Sequence, residues 1–78
     1  MMLENPEMLL DLTGYRALAG YVLALVALQQ NKGCGPCKLM LNTARDANWI
    51  SARLKNQGYN VLAIEPRDDH TFVQIRNC

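Results

Sequence analysis

The residues best equipped for chemistry are the thiols of Cys34-Gly35-Pro36-Cys37. Two thiols at this spacing are candidates for redox or metal chemistry. The same spacing supplies half of a tetrahedral zinc site. His70 and Cys78 are the other available nitrogen and sulfur ligands. If His70 opens a strand and Cys78 follows its end, steps of about 3.3 Å hold them roughly 26 Å apart, too far to share one ion. A zinc site would then need a Cys-x-x-Cys pair from each of two subunits. The simplest reading is a Gly-Pro turn carrying two small thiols into a helix, so neither a metal nor a cofactor is expected.

A second group of polar residues suits nucleic acid. Arg45, Asn48, Ser51, Arg53 and Lys55 fall within one segment. Arg and Lys meet phosphate or guanine, Asn meets adenine, and a serine hydroxyl meets backbone phosphate. An ordinary solvated helix face has a similar composition. His70, beside Asp68 and Asp69, has the makings of a base, but the trio lies in one tight turn with no nucleophile close in sequence. No phosphate-binding glycine loop is present, so a non-catalytic protein is expected.

The elements that position these groups follow from pattern. Asn5-Pro6-Glu7 has the form of a helix start, Asn5 capping and Pro6 in the first turn, with Met8–Leu12 supplying one or two turns. Thr13-Gly14 breaks the chain, and Thr13 would cap a second helix over Tyr15–Gln30. That helix is apolar nearly all round and should be buried on most sides. Thin neighbouring elements cannot enclose it, so it is read as both core and dimer seam, with Leu18, Tyr21, Val22 and Leu25 at the seam. Its lack of a basic face argues against a membrane-surface helix.

Lys38–Asn42 is ambiguous. Unbranched Lys, Leu and Met prefer a helix, but a short apolar run between turn signals also fits a strand. Thr43 then caps a helix to Gln57, with Asp46 three residues on, and Gly58 stops it. Ala47, Ile50 and Leu54 form its inner stripe, with Trp49 over the core edge. Tyr59–Glu65 and Thr71–Arg76 read as a hairpin, with Pro66 at the second position of a type I turn beginning at Glu65. The first strand, apolar on both faces, reads as the inner one, and the polar-dotted second strand as the edge. Phe72 would then be exposed, a pointer to a protein contact.

Composition bounds the whole. A chain of 78 residues makes a single small domain, 1–78, near the size where burial reaches only about 60% of the unfolded surface. Half its residues are hydrophobic and 19% charged, greasy for a compact monomer and suited to a homodimer or a docked protein partner. Net charge is +1, with residues 1–31 at −2 and residues 32–78 at +3, a mildly basic second half compatible with duplex DNA. Ala17–Leu28, the longest apolar run, is 12 residues, short of the roughly 18 or more that a membrane span requires. The start lacks a basic, apolar signal, and three cysteines are too few for a disulfide framework, so a reducing cytoplasm is expected.

Two resemblances can be set beside this reading. Cys34-Gly35-Pro36-Cys37 matches the redox motif of the thioredoxin family, which implies thiol-disulfide exchange. That family places a strand before the motif and a cis-proline opposite it, whereas here a helix is expected first and Pro66 falls in a turn. Ile50–Tyr59, followed by Arg67-Asp68-Asp69-His70 inside a hairpin, resembles the recognition helix and wing of winged helix-turn-helix regulators, across residues 36–76. The resemblance implies that Arg45, Asn48, Ser51, Arg53 and Lys55 face DNA, with Arg67 and His70 in the wing. The expected fold is α+β, two to four helices followed by a C-terminal hairpin, or α-β-α-β-β if Lys38–Asn42 is a strand. The expected function is a dimeric DNA-binding regulatory module. The alternatives are a protein-interaction adaptor or inhibitor, and a thiol redox protein.

Overall fold

In the computed structural model, residues 8–30 and 36–76 are described. They form β1 (Met8–Asp11), α1 (Ala17–Gln30), β2 (Pro36–Leu41), α2 (Ala44–Asn56), β3 (Asn60–Pro66) and β4 (Thr71–Arg76). The α+β class is as expected. The order contains the α-β-α-β-β alternative, with one further strand in front. The four strands make one sheet in the order β1-β2-β4-β3. β1 runs parallel to β2, and β4 pairs antiparallel with both β2 and β3. Both helices pack on the sheet face that carries Cys37, Leu39, Val73 and Ile75, and no other described element covers the opposite face.

Lys38–Asn42 is not a helix. Cys37, Leu39 and Leu41 are buried and alternate with half-buried Pro36, Lys38 and Met40. This period of two suits a central strand with one face on the core. The pairing is non-local, Leu39 lying between Leu10 and Val73, and it overrides the local preference of Lys, Leu and Met for a helix. α2 therefore follows a strand. Pro36 opens β2, where its missing amide costs least. Met8–Asp11 is likewise a strand, held by Cys37–Met40, and Asn5–Glu7 lie outside the described residues.

α1 begins at Ala17, two residues later than expected. Thr13 does not cap it: its hydroxyl and amide both donate to the Asp11 carboxylate, at 2.6 and 2.9 Å. α2 behaves as expected at both ends. Thr43 accepts from the Asp46 amide at 3.1 Å, and Gly58 takes φ +96° just beyond the helix. Only a glycine adopts that backbone without strain.

The core joins both helices to the sheet: Leu28 from α1, Ile50 and Leu54 from α2, Leu39, Val73 and Ile75 from β2 and β4. Gly20 is buried where the helices meet, and a methyl group there would sit 3.5 Å from Ile50 Cδ1.

The hairpin forms, but its strands are the reverse of the expectation. β4 is inner and β3 is an edge. The polar residues of β4, Gln74 and Arg76, lie on the open sheet face with Phe72, where water or long side chains reach them without making the strand an edge. The tight turn is also displaced: Arg67 N–H donates to His70 C=O at 2.7 Å, so the loop is closed beyond Pro66. A register shift between Val61 and Ala63 puts Val61 and Ile64, opposite Ile75 and Val73, on the helix side.

Candidate functional site

Three surfaces can carry function. The first is the outer face of α1. Leu18 is 65% exposed, Val22 49%, Val26 45% and Leu23 39%, and Tyr15 just before the helix is 50%. No residue between Ala17 and Gln30 is charged. Of the four seam residues expected from sequence, Leu18 and Val22 are exposed, while Tyr21 and Leu25 are half-buried and pack on the core. Tyr21 turns toward α2 and meets Trp49 edge to face, ring centres 6.1 Å apart. Val26 and Leu23 also belong to the exposed arc and are not among the four expected seam residues. Their exposure depends on where α2 lies, which no helical wheel of α1 reveals.

The second surface is the outer face of α2. Arg45, Asn48, Arg53 and Lys55 are exposed on it, as expected. Ser51 is not: it is 3% exposed, and its Oγ finds no hydrogen-bond partner among the described residues. It follows Ile50 into the core, so it cannot contact a phosphate. The Arg53 guanidinium stacks 4.2 Å from the Trp49 ring centre, which fixes both over the core edge. Arg67, at the turn, is exposed and stands 3.9 Å from Glu65, a distance at which a surface pair contributes little.

The third is a cleft of about 400 Å³ lined by Thr13, Gly14, Tyr15, Arg16, Ala17, Asn42 and Asp46, with a neighbouring recess under Arg45 and Trp49. It sits beyond the carboxyl ends of the parallel strands, the usual ligand position in sheets with parallel strands. Its lining pairs no nucleophile with a base. Asp11, at the same end, is held below the usual carboxylate range by the Thr13 hydroxyl and amide, with a smaller attraction from His70. Its proton is therefore lost early, and it is a poor acid at neutral pH.

The thiols do not make a described site. Cys37 is 1% exposed on β2, on the side that faces the core, and Cys34 and Cys78 lie outside the described residues. No group of three or more metal-ligating side chains occurs among the described residues. No helix among them is long and apolar enough to cross a membrane. Phe72, on the inner strand β4 between Met40 and Glu65, is half-buried rather than exposed, and the Lys38 ammonium lies 5.5 Å from its ring centre. No family model matches the chain, and neither a curated protein nor a solved structure does.

Proposed function

We propose that the protein is a non-catalytic interaction module that binds protein through the outer face of α1, working in the reducing cytoplasm. One observation carries this reading: four large apolar side chains, Leu18, Val22, Leu23 and Val26, are exposed on a helix without a single charge. Single exposed apolar residues are ordinary, but a contiguous group marks a contact surface. A photo-crosslinking side chain placed at Val22 tests this in cells producing the full chain, with the same group at Asn48 as comparison. Polypeptide adducts of defined mass at Val22 and none at Asn48 are expected. Adducts at Asn48 alone would overturn the reading.

Duplex DNA bound along α2 is the second reading, favoured by Arg45, Asn48, Arg53 and Lys55 standing exposed on one helix with Asp46 as its only acid. Because Arg53 stacks on Trp49, a phosphate that draws Arg53 away alters the tryptophan fluorescence. A saturable change that weakens steeply with salt supports this reading. A flat trace with unchanged DNA mobility removes it.

A further inference from the structure

We infer that the partner of α1 is a second copy of this chain, and that the two copies also join through β1, antiparallel, into one eight-stranded sheet; this rests on the reading of α1 as a protein contact. The two edges of the sheet differ in a way that points to β1. β3 carries the devices that keep an edge from pairing: a register shift between Val61 and Ala63, Pro66 at its end, and Glu65. β1 is short but has no proline, no basic residue and an unbroken register along β2. Its one charge, Asp11, is drawn back by Thr13.

The hydrogen-bonding direction of β1 is fixed by its end. Leu12 N–H donates to Met40 C=O at 2.9 Å, so amides of even-numbered residues turn toward β2. Successive amides alternate, which leaves the N–H and C=O of Leu9 and Asp11 directed away from the sheet. A two-fold axis at Leu10 sets Leu9 opposite Asp11 of the second copy, and Asp11 opposite its Leu9. Each pair exchanges both bonds, giving four in all. The two Leu10 side chains then meet on the helix side. No acid faces an acid.

The helices agree with that arrangement. α2 covers β3 and β4 and reaches β2, so α1 beside it lies toward β1. Leu23 stands roughly 200° around α1 from Tyr21, the residue that faces α2. Leu23 and Val26 therefore line the side away from α2. Continuing the sheet across β1 sets α1 beside α1 of the second copy on the same face, with no other element between them. The two helices run antiparallel, each N-terminus beside the other's C-terminus, which their dipoles favour. A charge-free face meets its own copy without repulsion.

Area bears on the strength of the dimer. A 14-residue helix face, about 21 Å long and 10 Å wide, covers on the order of 200 Å² per copy. A standard interface needs roughly 800 Å² per partner. α1 alone falls well short of that, and the β1 edge adds to it without reaching it. The predicted dimer is correspondingly weak and concentration-dependent.

Sedimentation equilibrium of the full chain, from about 10 μM to 1 mM, tests this, with limits set by the affinity such an area supports. The expected result is a rise from the 8.8 kDa chain mass to twice that value. Leu9→Pro, which removes an outward amide, and Leu9→Lys, which charges the edge and keeps the backbone, should each weaken the dimer at least about tenfold. Leu62→Lys, on exposed β3, should leave it unchanged. A single 8.8 kDa species throughout would overturn the second copy as partner, while the crosslinking at Val22 would still judge α1 as a protein contact. A dimer abolished by Leu23→Glu with Val26→Glu but indifferent to both Leu9 variants would overturn the paired strands.

Discussion

α1 and α2 are nearly equal in length and lie side by side on one sheet face, yet they are built by different rules. α2 is amphipathic: Ala47, Ile50 and Leu54 are buried on one side, and Arg45, Arg53 and Lys55 are exposed on the other. Its start is capped by Thr43, and Arg53 and Lys55 lie in the last turn, where they complement the dipole. α1 has no acid in its first turn, no base in its last, and apolar residues on every side. Buried Gly20, Ala24 and Leu28 are small or aliphatic, and so are the exposed residues opposite them. The contrast separates two demands on a helix. α2 turns an apolar side to the core and a charged side to solvent; α1 leaves Leu18, Val22, Leu23 and Val26 exposed among the described residues.

The comparison can be broken at its strongest point by cutting into the shared core. Ile50 is fully buried against both helices, and Ile50→Ala should cost about 2–5 kcal/mol. For so small a domain that is enough to unfold much of the population at ambient temperature, read by circular dichroism during urea titration. The outer face of α1 should behave oppositely. Leu23→Glu with Val26→Glu removes no contact with the core, so the unfolding free energy of the monomer should change by no more than about 0.5 kcal/mol per site. Association, by contrast, should weaken on the order of a hundredfold, since two carboxylates on each copy would be buried without partners. Equal losses in both assays would mean that these side chains belong to the core.

Smaller changes sharpen the difference at the helix starts. Thr43→Ala removes the acceptor for the Asp46 amide and should cost about 1 kcal/mol, near 4–8 °C in Tm for a domain of this size. Thr13 lies before α1 but spends its hydroxyl on Asp11, so its contribution is tied to pH. Asp11 has a lowered pKa in the folded chain, so its stabilisation is present above the unfolded carboxylate pKa and is lost as pH falls through the folded one. Asp11→Asn should therefore be slightly less stable than the parent at neutral pH and converge with it in acid, followed as Tm against pH. A constant gap at every pH would remove the carboxylate from the explanation.

How much of this the chain discloses by itself depends on how local each element is. α2, with its cap, inner stripe and glycine stop, is legible because its signals lie within one segment. The hairpin is legible for the same reason. β1 and β2 are not, because four to six residues rich in Met, Leu and Lys suit a helix locally, and only pairing between Leu10, Leu39 and Val73 makes them strands. The inversion of β3 and β4 has a related cause: polar side chains on β4 face an open sheet surface, so polarity did not mark an edge. At the sites, Arg45, Asn48, Arg53 and Lys55 were placed correctly on the exposed side of α2. Ser51 was not, because a serine next to Ile50 on the buried stripe differs from an exposed one only in its angle around the helix. Leu23 and Val26 are missing from the expected seam because α1 has no polar side from which to reckon its outer face.

Dilution of uniformly ¹⁵N-labelled full chain, followed by amide chemical shifts, tests most directly that the α1 side meets a second copy. Concentration-dependent shifts should gather at Leu9 and Asp11 on β1 and at Leu18, Val22, Leu23 and Val26 on α1, with Arg45, Asn48 and Lys55 constant. Shifts confined to α2, or none at any concentration, would contradict the account.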